Sequence, residues 1–285
     1  MKSFLKFLAV LFVIFFVSAV SAPLLYKILP FKFERIFSRL VMILSILAAL
    51  LFVRIRREAF VRYGLAWKEG SLRQFLTGCA AGILSLSSVI LLQGLFRIAH
   101  WEPAHFSLLG WIFTVGTAAF AALLVGVLEE FFFRGFIFRR LLERFSWPAG
   151  LAAAATSLLY SLVHFVGDQT PFVDSTPDVK DSLRLMLAPL VSLAHWPSYW
   201  PAAAGLFLFG LLLNLTVLRT GSLFMAIGLH ASGVFFLKMD GSLIRTDIRN
   251  PVFFGGERLI DGVLGWFVLG ICAAVLARFL KRSER

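Results

Sequence analysis

Apolar runs long enough to cross a lipid bilayer recur along this sequence, and no other feature narrows the fold as much. Eight can be drawn, at residues 1–29, 36–53, 75–96, 108–142, 148–165, 199–218, 222–237 and 263–280. A transmembrane helix needs about 20 mostly apolar residues. In hydrocarbon the backbone must satisfy its own hydrogen bonds, which a helix does locally. The expectation is therefore an all-α, polytopic membrane protein of about eight helices enclosing a polar site. Composition agrees: 59% of the 285 residues are hydrophobic and only 15% charged, whereas a soluble domain is about one quarter charged.

Residues 18–22 are small and also fit the end of a secretory signal peptide. The apolar run continues through Pro23, Leu24 and Leu25, which favours a retained first helix. The spans group as three N-terminal helices (residues 1–100) and a five-helix core (101–285), within one membrane-embedded unit. The longest polar connection, 167–197, contains a stretch at 183–193 that suits an amphipathic helix at the interface. The larger share of the 28 Lys and Arg falls on the side of both termini, with Arg54, Arg56, Arg57 and Arg62 weighing most. By the positive-inside rule both termini face the cytoplasm, in a cytoplasmic membrane of prokaryotic type. The net charge of +12 is thus read as topology and not as affinity for nucleic acid. Cys79 and Cys272 both lie in apolar runs, so neither a disulfide framework nor a cysteine metal site is expected.

One run breaks the apolar rule. In L-V-G-V-L-E-E-F-F-F-R-G-F-I-F-R-R, residues 124–140, the acids Glu129 and Glu130 are adjacent and Arg134 follows four residues after the second. Ionisable groups in hydrocarbon are rare unless they face a bundle interior or a wet cavity. Glu130 and Arg134 are spaced i,i+4 with the acid first, the favourable order for a helical ion pair. Glu129 then lies roughly 140° from Arg134 around an α-helix and is free to point elsewhere. This geometry makes Glu130 the neutralised acid and Glu129 the working one; the alternative is a single structural cluster that fixes helix packing.

His164 and His230 each lie inside a predicted span, whereas His100, His105 and His195 sit in connections, the first and last beside Trp101 and Trp196. Two intramembrane imidazoles and a carboxylate pair on a third helix are best explained by one converging site. A desolvated Glu has a raised pKa and acts as a general base on water near neutral pH. Histidines orient that water or stabilise a developing oxyanion. The chemistry is peptide hydrolysis within the bilayer. Two His and one Glu also form a known catalytic zinc set, so spacing alone leaves a metal open.

The E-E-x-x-x-R of Glu129, Glu130 and Arg134, the aromatic-x-x-x-H of Tyr160 and His164, and the later His230 resemble the three signature segments of the CPBP family. These are CAAX-processing and bacteriocin-processing intramembrane endopeptidases. The run from Gly205 to His230 resembles the family's approach to its last motif, and the likeness extends over residues 110–236. It implies an eight-helix, metal-independent endopeptidase. Glu129 would activate water, Arg134 would brace Glu130, and His164 and His230 would position water or stabilise the oxyanion. The substrate would be a membrane-associated peptide or protein. Two positions depart from the pattern. Tyr160 stands where the family usually has Phe, and Val234 where it usually has Asn four residues after the last His. Valine has no hydrogen-bond donor on its side chain. Asn214, one helix earlier, is the candidate replacement, with an inter-helix packing role as the alternative. Two rival readings remain: a non-catalytic immunity or scaffold protein, which Val234 favours, and a proton-coupled transporter, since Glu and His also build proton relays.

Overall fold

The computed structural model describes residues 2–53, 61, 63–164, 176–194, 196–247, 250–256 and 259–280. The arginines that weighed most in the orientation argument, at 54, 56, 57 and 62, and His195 lie outside the described residues. The described residues are all-α apart from one two-stranded ribbon. Packing divides it into two compact units: residues 1–56 with 162–198, and residues 57–161 with 199–285. The boundary drawn at residue 100 does not coincide with this division, because the third apolar helix packs within the second unit.

In the first unit, α1 (Lys2–Tyr26) and α2 (Phe33–Val53) form an antiparallel pair. Ala19, Ala22, Phe33, Ile36 and Phe37 make its core. The stretch predicted as an amphipathic connection is the helix α7 (Val179–Ala194), whose Leu185 joins that core while Leu183 and Leu187 are exposed. The Ser182 hydroxyl donates to the Ala19 carbonyl at 3.0 Å and ties α7 to α1.

The second unit is built around a crossing of α3 (Ser71–Leu95) and α9 (Phe224–Leu243). Small residues let the two backbones touch. A Cβ placed on Gly78 would lie 2.1 Å from the Met225 carbonyl oxygen, and one on Gly228 would lie 2.0 Å from the Phe75 carbonyl oxygen. A Cβ on Gly82 would lie 2.1 Å from the Ser232 hydroxyl oxygen and 2.9 Å from the Leu229 carbonyl oxygen. Gly78 and Gly82 are a G-x-x-x-G pair, the pattern that brings membrane helices into close contact where no hydrophobic driving force acts between them. The crossing buries α9 continuously from Met225 to Gly233. The ribbon ties the far ends of the same two helices: β1 (Ala99–Trp101) pairs antiparallel with β2 (Ile244–Thr246), His100 opposite Arg245. Both strands lie in stretches read as connections, being too short to carry a periodic signal.

The fourth predicted span is one rod. The helix α4 (Leu108–Glu130) starts at a Ser107 cap whose hydroxyl oxygen accepts from the Gly110 amide at 3.1 Å. It passes into a π-helical segment, Phe131–Phe138, and ends as α5 (Arg139–Glu143). The rod has 36 residues, about 54 Å at 1.5 Å per residue, against hydrocarbon about 30 Å thick. It is the second of three helices long and apolar enough to cross a membrane among the described residues, with Ser71–Leu95 and Tyr199–Thr220. Shorter apolar helices are Phe12–Tyr26, Ala149–Val163 and Val263–Phe279. Here α6 denotes Ala149–Val163, α8 Trp196–Thr220, α10 the short Pro251–Phe254 turn and α11 Val263–Phe279. The seventh predicted span, now α9, is absent from that set. It carries His230 and, near its end, Lys238 and Asp240, and its burial comes from other helices.

The α3–α9 contact gives a direct expectation. Gly78→Val forces a side chain into the Met225 backbone and should cost about 1–3 kcal/mol, read as a lower unfolding temperature of the detergent-purified protein. Gly116→Ala, at a glycine with nothing within 4 Å of the added Cβ, should leave the temperature unchanged or higher.

Candidate active site

The polar cluster of the second unit forms where the end of α4 meets the middle of α9. Gly126 of α4 packs on Ala231, its added Cβ falling 3.1 Å from the Ala231 Cβ. That approach brings the next turn of α4, with Glu129 and Glu130, against His230. Past Glu130 the helix widens into its π segment, and Phe131, Phe133, Arg134, Gly135 and Phe138 are all buried. Single π turns inside α-helices are frequent at functional sites.

Glu130 and Arg134 are both fully buried, and Arg134 Nη1 donates to Glu130 Oε1 at 2.9 Å. The i,i+4 pair read from the sequence is present. Arg134 Nη2 reaches the Gly210 carbonyl of α8 at 3.5 Å, and the guanidinium carbon sits 4.4 Å from the centre of the Tyr160 ring. A buried charge needs such partners, because taking it out of water costs several kcal/mol.

The imidazole of His230, 3% exposed, lies between the two acids. Its Nδ1 is 2.7 Å from Glu130 Oε1, the same oxygen that Arg134 holds. Its Nε2 is 3.9 Å from Glu129 Oε2. Helix phase places the two carboxylates about 100° apart, and yet both address one ring, through its opposite nitrogens. The two acids differ sharply in access: the Glu130 side chain is 0% exposed and that of Glu129 25%. The other Glu130 oxygen, Oε2, is buried without a hydrogen-bond partner among the described residues.

Aromatic rings hold the imidazole in place. Tyr160 of α6 and Phe209 of α8 approach it edge to face, with centroids at 6.0 and 5.7 Å. Phe133 stacks edge-on against Tyr160 at 5.2 Å. Such pairs contribute about 0.5–1.5 kcal/mol each beyond the area they bury. Neither Phe209 nor Gly210 stood out in the sequence. The available signal was Asn214, since Gly210 lies four residues before it on the same helical face.

Asn214 is buried, and its amide nitrogen donates to the Ala153 carbonyl at 3.1 Å and the Ser157 hydroxyl at 3.0 Å. A carbonyl only accepts, so the amide nitrogen must face α6, and both of its hydrogens are engaged there. Val234 is half-buried, one turn beyond His230. His164 is the first residue past α6, partly exposed, and belongs to the first unit. The cluster of known geometry therefore comprises Glu129, Glu130, Arg134, Tyr160 and His230. No group of three or more His, Cys, Asp or Glu side chains with metal-binding geometry occurs among the described residues.

A carboxylate with partial access, facing an imidazole in an apolar helix bundle, is a candidate for general acid–base chemistry. Family comparison places it further. Residues 111–236 match the family described as Rce1-like, type II CAAX prenyl endopeptidase Rce1-like. Over this segment the chain is similar to Rce1-like CAAX-type proteases, which is consistent with the CPBP intramembrane proteases, and its apolar helices together with this likeness support an integral membrane protein. All the cluster residues fall within it, as does His164. Comparison with curated proteins gives no match, and comparison with solved structures gives none.

Removing the counter-charge tests the buried pair. Arg134→Ala strands Glu130 in the bundle and should destabilise by about 3–5 kcal/mol, measured as a lower unfolding temperature in detergent. Glu130→Gln with Arg134→Met, which leaves no buried charge, should recover much of that loss.

Proposed function

We propose that the protein hydrolyses a peptide bond near the C-terminus, or in the membrane-proximal part, of a membrane-associated protein, with Glu129 as the general base. The observation that carries this reading is the asymmetry of the acid pair. Glu130 is sealed and bound to Arg134, while Glu129 has partial access and an imidazole at 3.9 Å. Catalytic hydrogen bonds are often long before substrate binds.

In this mechanism Glu129 takes a proton from water as its oxygen attacks the scissile carbonyl. The tetrahedral intermediate collapses with cleavage of the C–N bond, and the proton is returned to the leaving amine. His164 is proposed as the second imidazole from its place in the aromatic-x-x-x-H motif. Val234 offers no donor to the oxyanion and the Asn214 amide is engaged elsewhere, so the site is proposed to work with one donor fewer than the family pattern. The reaction is proposed to need no metal. A prenylated CAAX tail is the substrate named by the family and the first to test. Both termini are proposed to face the cytoplasm.

The Val234 departure supports one competing reading, a non-catalytic membrane protein that keeps the fold. Cleavage of a quenched fluorescent, farnesylated CAAX peptide by the protein in liposomes separates the two. Glu129→Gln should lower turnover about a hundred- to ten-thousandfold with an unchanged unfolding temperature, and a chelator should have no effect. Undiminished cleavage by this variant would remove Glu129 from the mechanism. Val234→Asn should hold or raise turnover; its loss in a folded variant would show that the valine is itself required.

A further inference from the structure

Two donors converge on one oxygen of Glu130, and the chemistry of that oxygen fixes the state of His230. Arg134 cannot lose its proton in a protein, and at 2.9 Å in a fully buried setting it holds Glu130 as a carboxylate. A carboxylate only accepts. The nitrogen 2.7 Å away, Nδ1 of His230, must therefore carry the hydrogen. From this we infer that Glu130 is a positioning residue: it locks His230 with its proton on Nδ1 and presents Nε2 to Glu129.

Every group around the ring fits. From the rod come Glu129 and Glu130, with Arg134 acting through Glu130. From α6 comes Tyr160, whose ring lies against both the guanidinium and the imidazole. From α8 comes Phe209, which does not titrate. Glu130 thus relates to His230 as the buried acid of a hydrolase triad relates to its histidine, selecting the tautomer and offsetting the charge of an imidazolium. Arg134 keeps that acid ionised, and Tyr160 keeps Arg134 in place.

The catalytic consequence rests on the Glu129 reading. With Nδ1 committed, Nε2 is the nitrogen that exchanges protons. The proton that Glu129 takes from water passes to Nε2, and the resulting imidazolium gives it to the amine nitrogen as the C–N bond breaks. Both groups end the cycle in their starting states. In this arrangement a neutral His230 turns a lone pair toward Glu129 and not a donor toward an oxyanion, so the imidazole handles protons.

The test reads the tautomer directly and needs no substrate. In the full chain labelled with ¹⁵N-histidine and reconstituted in lipid nanodiscs, the His230 signals are assigned by their loss in His230→Gln. The expected result is a neutral ring that carries its hydrogen on Nδ1. A neutral ring protonated on Nε2 would overturn the proposal. Glu130→Gln should then give a mixed tautomer population, and should lower kcat for the farnesylated peptide by up to about ten-thousandfold at similar KM, with a displaced pH profile. A purely structural Glu130 would lower only the folded fraction, and an unchanged tautomer and pH profile in that fraction would also overturn the proposal. If Glu130→Gln does not fold, the wild-type spectrum still decides. Full activity of Glu129→Gln alongside a protonated Nδ1 would remove the base assignment and leave the positioning role standing.

Discussion

The structure of the second unit depends on a charge that has no water to hold it. Glu130 and Arg134 are both sealed from solvent, and hydrocarbon offers neither of them a partner. Each must be satisfied by the protein, and several elements have a part in that. The rod supplies the i,i+4 ion pair, α8 the Gly210 carbonyl, α6 the Tyr160 ring and α9 the His230 nitrogen. An ion pair of this kind is weak evidence for stability, since an apolar replacement is often as good or better. Its value lies in what it orients. It gives one imidazole a defined partner on one side and leaves the other side to a more accessible acid.

That arrangement requires α4 and α9 to pass very close to each other, which small residues permit. Gly126 lies against Ala231, one turn from the acids, and Gly78, Gly82 and Gly228 seat α3 on the opposite side of α9. The result is a helix buried from Met225 to Gly233 with a histidine at its centre. Close backbone packing and buried polar chemistry are therefore one design. Bulkier residues at the crossings would widen the helix separation, and a bond of 2.7 Å could not span the difference.

The departures from the family pattern also take on physical content here. Tyr160 keeps the aromatic face that the guanidinium needs, whatever its hydroxyl adds. Val234 removes a donor near His230, and Asn214 is already committed to α6. In the proposed mechanism, a site with fewer donors for an oxyanion relies more on proton handling by Glu129 and His230.

The sequence by itself determined the class of fold, the helical medium and the candidate acids. Those follow from local rules: the length of an apolar run, the cost of a charge in lipid, and the four-residue spacing that pairs Glu130 with Arg134. It placed His230 among the candidates because a histidine in such a run needs a reason. The angular separation of neighbouring residues left Glu129 free of the Arg134 pair without saying what it meets; that was decided by tertiary structure, because a ring from another helix has two nitrogens and can face both acids. The engagement of Asn214 with α6, the part played by Gly210 and Phe209, and the grouping of α3 with α9 were likewise decided only by packing. Each depends on which faces of distant segments touch, and spacing along one chain holds no record of the distance between two helices.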